Sequence, residues 1–163
     1  MLVNTKYRTD QEEIMDDFTM EGEILRDALD KIAKINQLLG GNKLTLLGVQ
    51  ELLSNIDSYK EITIVDVGCG NGDMLRTLAN FGKKNNVNFN LIGVDANKFT
   101  ISHAVNLSLE YPNISFLCAD IFEKEFNDLK YDIVVCTLTL HHFKDIEIEK
   151  IMTVFYANAS TGI

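Results

Sequence analysis

The 163-residue chain has one proline, no tryptophan and fewer basic than acidic side chains. Because 15 Lys and Arg stand against 24 Asp and Glu, the net charge of -9 leaves no basic stripe for a phosphate backbone, and we expect no nucleic-acid partner. No apolar run is long enough to cross a bilayer, and the amino terminus lacks the apolar core of a secretory signal. These absences predict a cytoplasmic protein that has no membrane contact and acts on a small partner.

Cysteine is also scarce, with three residues and no Cys-x-x-Cys spacing. This pattern predicts no metal site. Cys118 and Cys136 lie inside apolar runs, where a thiol usually serves as a small hydrophobe. With 46% hydrophobic and 24% charged residues, the composition is that of one soluble globular domain.

Residues 1–60 have helical periodicity. A capping box at Asp10 predicts one helix, and Thr19 predicts the start of a second, which should end at Gly40-Gly41. Thr45 is the expected cap of a third helix. The apolar face of the second helix is expected to carry Leu25, Ala28, Ile32, Ile35 and Leu39.

The periodicity changes at Glu61. Four short β-branched runs follow, ITIVDV, NFNLIGVD, ISFLCAD and YDIVVCTLTL. Helical segments are predicted at 72–86, 98–110, 123–130 and from Asp145 onwards. Strands that are apolar throughout and alternate with helices predict an α/β fold, a doubly wound (Rossmann-like) parallel sheet with helices on both faces.

Three glycines at alternate positions, Gly68, Gly70 and Gly72, follow the first strand in VDVGCGNGD. They therefore lie at the carboxyl edge of the sheet, where open α/β sheets bind ligands. Without side chains the backbone turns sharply and approaches a ligand closely, while the first N–H groups of the next helix favour an anion. A tight turn without a ligand is the alternative.

The spacing of this turn bears on the ligand. A dinucleotide fingerprint reads G-x-G-x-x-G, but here the third glycine comes one residue early and Asp73 occupies the dinucleotide position. Asp66, at the end of the strand, repels phosphate but can hold an ammonium group, directly or through water. The turn therefore predicts a zwitterionic ligand; the alternative is that Asp66 only caps local backbone N–H groups.

Four segments in order, D-V-G-C-G-N-G, L-I-G-V-D-A, C-A-D-I and Y-D-I-V-V-C-T-L-T-L-H-H-F, resemble the class I S-adenosylmethionine-dependent methyltransferases. The resemblance covers roughly residues 61 to 160. It implies a core at 61–163 that binds S-adenosyl-L-methionine, an amino-terminal helical lid at 1–60, and methyl transfer to a small-molecule acceptor.

The resemblance also implies roles for individual residues. The implied cofactor residues are Asp66, Gly68, Cys69, Gly70, Gly72, Asp95, Ala96, Asp120, Ile121 and Thr137. The glycine turn would take the methionine part, Asp95 the ribose and Asp120 the adenine amine, with Ile121 over the ring and Thr137 beside the methyl group. The alternatives are that Asp95 caps the next helix, that Asp120 caps its loop and that Thr137 is a satisfied core residue.

A sulfonium methyl group is already electrophilic, so transfer requires an aligned acceptor and no enzyme nucleophile. For an oxygen acceptor the candidate bases are His141 and His142, which are expected to point in different directions and which otherwise only pack. His103 is expected at the surface. The stretch LRDALDKIAKINQLLGGNKL resembles a bacterial subgroup beside polyketide-type pathways, which implies a phenolic or polyketide-like acceptor.

Methyltransferases of this class have seven strands, whereas this chain offers four and ANASTGI, which resembles the start of a fifth. We expect a truncated sheet whose carboxyl-terminal strands are missing. The edge of VVCTLTL would then either drive self-association or be covered by the stub and the helix at 145–158. The rival interpretations are a non-catalytic cofactor-binding module and a nucleotide-dependent oxidoreductase domain.

Overall fold

A computed structural model describes residues 17–54 and 61–163. Two helices, α1 (Glu23–Leu39) and α2 (Gly41–Leu53), precede a series of alternating strands and helices. The elements of this series are β1 (Ile62–Val67), α3 (Asp73–Asn85), β2 (Phe89–Asp95), α4 (Lys98–Leu107), β3 (Ile114–Cys118), α5 (Lys124–Asn127), β4 (Tyr131–Val135), α6 (Asp145–Asn158) and β5 (Ala159–Gly162). Within these ranges, no helix has both the length and the apolar character needed to cross a bilayer.

The five strands form one sheet in the order β3-β2-β1-β4-β5, and all neighbouring strands are parallel. The reversal of strand order lies at β1, which pairs with β2 on one side and with β4 on the other. This arrangement confirms the predicted doubly wound α/β fold. It also places the ends of β1, β2 and β4 at one edge, which is the edge expected to bind a ligand.

Apolar cores cover both faces of the sheet. On one face Leu75 and Leu78 of α3 pack with Ile64 of β1, and on the other Phe155 of α6 packs with Val65. Successive strand residues point to opposite faces, so a strand buried on both sides has to be apolar at every position. Complete burial of each such side chain stabilises the fold by about 1.5–3 kcal/mol.

The amino-terminal helices differ from the prediction at their starts and in the face that they bury. The chain at Gly22 has a φ of 94°, and α1 begins at Glu23 rather than at Thr19. The predicted helix at Asp10 lies outside the described residues. The residues that α1 buries are Leu25, Leu29 and Ala33, whereas Ile32, Ile35 and Leu39 are exposed.

Helix α2 begins directly after Gly40, which has a φ of 83° and ends α1 as predicted. Thr45 is therefore inside α2 and is not its cap. Its hydroxyl donates to the carbonyl of Gly41 at 3.4 Å. Helix α1 packs against α2 and α4, and α2 packs against α3, so both helices lie on the α3 side of the sheet.

Strand β4 ends at Val135, whereas the sequence predicted a strand through Leu140. The chain leaves the sheet because Leu138 takes a left-handed conformation, with a φ of 58°. The Thr139 hydroxyl lies 3.3 Å from the carbonyl oxygen of Val67 and donates to it. A short 3-10 helix, Leu140–His142, follows.

The edge of β4 that was expected to be unpaired is covered by the chain itself. Tyr131 pairs with Ala159 and Ile133 pairs with Gly162, with a register irregularity between the two pairs. The strand β5 therefore covers the first part of β4, as the second of the two alternatives predicted, while its pairs do not extend to 134–140. At the amino-terminal edge, Asp132 accepts hydrogen bonds from the N–H of Thr63 at 3.0 Å and from the Ser160 hydroxyl at 2.7 Å.

Candidate cofactor site

The glycine turn between β1 and α3 has a backbone that only glycine adopts without strain. Gly68, Gly70 and Gly72 have φ values of 70°, 51° and 77°. A Cβ on Gly68 would overlap the Thr139 hydroxyl and lie 2.6 Å from its Cγ2. One on Gly72 would lie 3.1 Å from Cζ of Phe116. The turn is thus enclosed by protein as well as tightly wound.

Backbone N–H groups of the turn are bonded within the protein. Those of Gly68 and Cys69 donate to the carbonyl of Val94, at 2.9 and 3.1 Å. The N–H of Gly70 donates to Oδ2 of Asp95 at 3.3 Å. The turn is therefore fastened to the end of β2, and an anion bound on it would share these donors.

Asp66 is the penultimate residue of β1 and is buried, with 4% of its surface exposed. Burial raises its pKa to about 8, with further contributions from the charges of Asp73 and Asp95. No residue in the described part of the chain donates a hydrogen bond to this carboxylate, so it does not cap local N–H groups. This raised pKa favours the protonated carboxyl group, and a neighbouring cation would favour the ionised form.

Asp95 ends β2 and is half-buried. Burial raises its pKa, and the N–H groups of Asn97 and Gly70, which donate to it at 2.9 and 3.3 Å, act in the opposite direction. The cap of α4 is Asn97, whose side chain accepts from the N–H of Thr100 at 2.9 Å. Asp95 is thus not the helix cap. Ala96, between the two, is half-buried.

Asp120 lies after β3, where its Oδ1 accepts from the N–H of Phe122 at 2.9 Å. This is the loop-capping contact, and it leaves Oδ2 with no hydrogen bond from the described protein. Ile121 is 7% exposed and packs in the core under α6, and the Cys69 thiol is buried in the core on the α3 side. Burial raises the pKa of Cys69, which keeps it a neutral thiol.

Thr137 is exposed beyond the end of β4, and its hydroxyl lies 3.3 Å from that of Thr45 on α2. His141 and His142 follow in the 3-10 helix. Their ring centroids are 4.0 Å apart, so the expectation that they point in different directions is wrong.

His103 was expected at the surface, but only 13% of its side chain is exposed and its Nε2 lies 2.8 Å from Oδ1 of Asp30 on α1. Sequence reasoning also missed Asn71 and Asn97. Asn71 is inside the glycine motif itself, and Asn97 has the ordinary N-cap signal, a polar residue immediately before a helix. Nothing in the sequence distinguishes Asp30 from the other acids of α1.

The carboxyl edge of the sheet is acidic. Arg76 is close to the turn, but its guanidinium donates to the carbonyl of Asn71 at 2.6 Å and to the Ser108 hydroxyl at 3.1 Å. In residues 17–54 and 61–163, no three His, Cys, Asp or Glu side chains lie close enough to hold a metal ion. The arrangement therefore fits an organic cation that also carries hydroxyl groups, which Asp66 and Asp95 would bind.

Comparisons with known proteins agree with this geometry. A family model described as a methyltransferase domain matches residues 58–156. A ubiquinone biosynthesis O-methyltransferase of Rickettsia prowazekii is 32% identical over 100 residues, which are 61% of this chain and 37% of that protein. The chain therefore spans well under two thirds of the length of this curated relative.

Solved structures share the fold at lower identity. One is a protein of Methanococcus maripaludis assigned as an S-adenosyl-L-methionine-dependent methyltransferase, with a TM-score of 0.61, 13% identity, and coverage of 86% of this chain and 61% of that one. Another is the plantazolicin methyltransferase BpumL in complex with a triazolic desmethylPZN analogue and S-adenosylhomocysteine, with a TM-score of 0.59 and 20% identity. That match covers 83% of this chain and 48% of the other.

Proposed function

Because the chain belongs to the class I S-adenosylmethionine-dependent methyltransferases, we propose that it transfers the methyl group of this cofactor to a small-molecule acceptor. The cofactor supplies an electrophilic sulfonium methyl group. The protein then has to bind the cofactor, hold the acceptor in line with the methyl group and exclude water. The core at 61–163 would do the first, and the amino-terminal segment 1–60 would act as the lid.

The observation that carries this proposal is the pair of acids beside the glycine turn, of which Asp66 is buried and Asp95 half-buried. Asp66 and Asp95 both have raised pKa values, and no base of the described protein pairs with Asp66. Two acids held in this way favour a ligand that brings positive charge, because a cation relieves the cost of ionising a buried carboxyl group. The amino acid part of the cofactor carries an ammonium group, which fits Asp66.

The remaining cofactor residues follow the order of the strand ends. The turn of Gly68, Cys69, Gly70 and Gly72 would hold the methionine part through its backbone, and Asp95 with Ala96 would hold the ribose. Asp120 keeps one carboxylate oxygen for the exocyclic amine of adenine. Ile121, being buried in the core, would support the adenine site from below. Thr137 would lie beside the methyl group.

An oxygen acceptor would have to lose a proton, and His141 and His142 are the candidate bases at this edge of the sheet. The relative from Rickettsia prowazekii is named as an O-methyltransferase, which supports an oxygen acceptor here. Around the contact between Thr45 and Thr137, the neighbouring residues Leu44, Leu47 and Leu138 are exposed. Exposed leucines that neighbour these two threonines in sequence favour a hydrophobic acceptor of phenolic or polyketide-like type.

Measurements of ligand binding distinguish the two other interpretations from a methyltransferase. A nucleotide-dependent oxidoreductase domain would bind NAD, whereas the position of Gly72 and the acid at Asp66 disfavour a pyrophosphate. A non-catalytic module would bind the methylated cofactor and transfer nothing.

The three cysteines are free, which supports a reducing, cytoplasmic location. The outer strand on this side of the sheet is β5, and self-association through its edge stays a prediction.

The test is calorimetric titration of the chain with S-adenosylhomocysteine, S-adenosylmethionine and NAD, followed by transfer of labelled methyl to a panel of small phenols. We expect both sulfur nucleosides to bind and NAD not to bind. If His141→Gln or His142→Gln lowers the yield of labelled product and changes the pH profile of the reaction, the substituted histidine is the base. Binding of NAD in preference to the other two ligands would overturn the proposal, and cofactor binding with no transfer to any acceptor would leave the non-catalytic module.

A further inference from the structure

The carboxylate of Asp30 joins the amino-terminal helices to the glycine turn and to α4. Its Oδ1 accepts a hydrogen bond from Nδ2 of Asn71 at 2.9 Å and lies 2.8 Å from Nε2 of His103. Burial raises the pKa of Asp30, but the hydrogen bonds from His103 and Asn71 outweigh it and leave the pKa below its usual range. The ionised carboxylate is therefore the form that makes these contacts.

Asn71 transmits this contact to the turn. It is buried, it lies between Gly70 and Gly72, and its amide is held at both ends. While Nδ2 donates to Asp30, Oδ1 accepts from the N–H of Asp73 at 3.2 Å. A residue of α1 thus reaches the glycine turn through one side chain, and it does so at the first N–H of α3.

A second attachment joins the segment before α1 to the end of β2. Nδ2 of Asn97 donates to the carbonyls of Phe18 and Met20 at 3.1 and 2.8 Å, while the N–H of Asn97 donates to Asp95. Leu29 of α1 lies over the turn as well, 3.6 Å from the position of a Cβ on Gly70. The amino-terminal segment is therefore attached to both turns whose acids face the cofactor site.

We propose that Asp30 is a positioning residue that couples the placement of α1 to the conformation of the cofactor turn. This inference rests on the proposed function and extends it. If α1 in its attached position holds the turn in its binding conformation, cofactor binding must stabilise the attachment to the same extent, because coupling between two sites is reciprocal. The amino-terminal helices would then close more firmly when the cofactor is present.

The test compares Asp30→Ala with Asp27→Ala, which removes an exposed carboxylate one turn earlier on the same helix. The first readout needs no ligand: we expect Asp30→Ala to speed amide hydrogen exchange in 23–39 and 70–76, with little change for Asp27→Ala. The second is affinity for S-adenosylhomocysteine by calorimetry, which Asp30→Ala should lower about tenfold. At saturating ligand, protection of α1 should increase in the unsubstituted chain and not in Asp30→Ala.

An exchange of partners separates positioning from a general loss of structure. Asn71→Asp alone places two carboxylates in contact and should weaken binding, whereas Asp30→Asn combined with Asn71→Asp restores a donor and an acceptor and should recover part of the affinity. Failure of the unsubstituted chain to bind S-adenosylhomocysteine would overturn the proposed function. Binding that Asp30→Ala leaves unchanged, with unchanged exchange in α1, would overturn the coupling alone.

Discussion

The backbone N–H of Gly70 donates a hydrogen bond to Oδ2 of Asp95 at 3.3 Å, so the end of β2 holds the middle of the glycine turn. The other oxygen of Asp95 accepts from the N–H of Asn97. One carboxylate thus fixes two backbone segments, the glycine turn and the turn after β2. A ligand that binds to Asp95 would therefore affect the conformation of both segments.

Replacing Asp95 with alanine is expected to weaken S-adenosylhomocysteine binding by about 10- to 100-fold, because hydrogen bonds to a charged group contribute about 1.5–3 kcal/mol. Calorimetric titration measures the change. The matched control is Asp128→Ala, which removes an exposed carboxylate next to the opposite edge of the sheet. Equal affinities for the two variants would show that Asp95 does not hold the ribose.

Substitution of Gly68 by alanine is expected to destabilise the fold by about 1–3 kcal/mol, since a side chain at a φ of 70° is strained and would also overlap Thr139. Adding Thr139→Ala should recover part of the loss. Gly48→Ala is the control, because a Cβ there meets no atom within 4 Å and alanine favours a helix. Urea unfolding in which Gly68→Ala matches the unsubstituted chain would contradict the tight turn.

The raised pKa of Asp66 makes the stability of the fold depend on pH. Between a pKa of 3.8 in the unfolded chain and about 8 in the fold, the folded state holds a proton that the unfolded state has lost. Stability from this group is therefore complete below the unfolded pKa and declines as pH rises to about 8, by up to about 1.4 kcal/mol per pH unit. Asp66→Asn, which cannot ionise, should remove this decline.

Urea unfolding at pH 5, 6, 7 and 8 measures the decline. Asp66→Asn should already be more stable than the unsubstituted chain at pH 5, which lies above the unfolded pKa, and its advantage should grow up to pH 8. Asp128→Asn, with its exposed carboxylate, serves as the control and should follow the unsubstituted chain at each pH. Parallel curves for the unsubstituted chain and Asp66→Asn would mean that Asp66 is already ionised in the fold.

Ligand binding is expected to release a proton from Asp66. With its pKa raised to about 8, the carboxyl group is expected to be mostly protonated at pH 7 in the free protein, and the ammonium group of S-adenosylhomocysteine would favour its ionised form. Titrations in phosphate and in Tris, which differ in ionisation enthalpy, should show release of up to about one proton. The release should disappear at pH 9 and in Asp66→Asn, and equal enthalpies in the two buffers at pH 7 would contradict it.

The central strands and the glycine turn could be predicted because their requirements are local. A strand covered on both faces is apolar at each position, and three glycines before a helix predict a turn with positive φ. The end of β4 could not be predicted in this way, since Thr137 and Leu138 have good strand propensity. The left-handed Leu138 turns the chain out of the sheet, and Thr139 then bonds to the carbonyl of Val67, a contact between segments far apart in sequence.

The prediction of which face of α1 is buried was wrong for a similar reason. Its sequence has more apolar residues than one face can hold, and the neighbours on α2 and α4 select Leu25, Leu29 and Ala33. Periodicity alone does not choose between adjacent faces of such a helix. The role of His103 also depends on an acid 73 positions away, which no local pattern reveals.

Asp132 is a buried acid at the opposite end of the sheet from Asp66, and unlike Asp66 it accepts hydrogen bonds from the protein. Asp132 accepts hydrogen bonds from Thr63 and Ser160, so it joins the starts of β1 and β5 to β4. The strands are therefore anchored at the end of the sheet opposite to the proposed cofactor site. Substitutions at the proposed cofactor end can change the shape and charge of that end while the hydrogen bonds of Asp132 stay intact. A new acceptor could therefore be accommodated without loss of the contacts that hold the strands together.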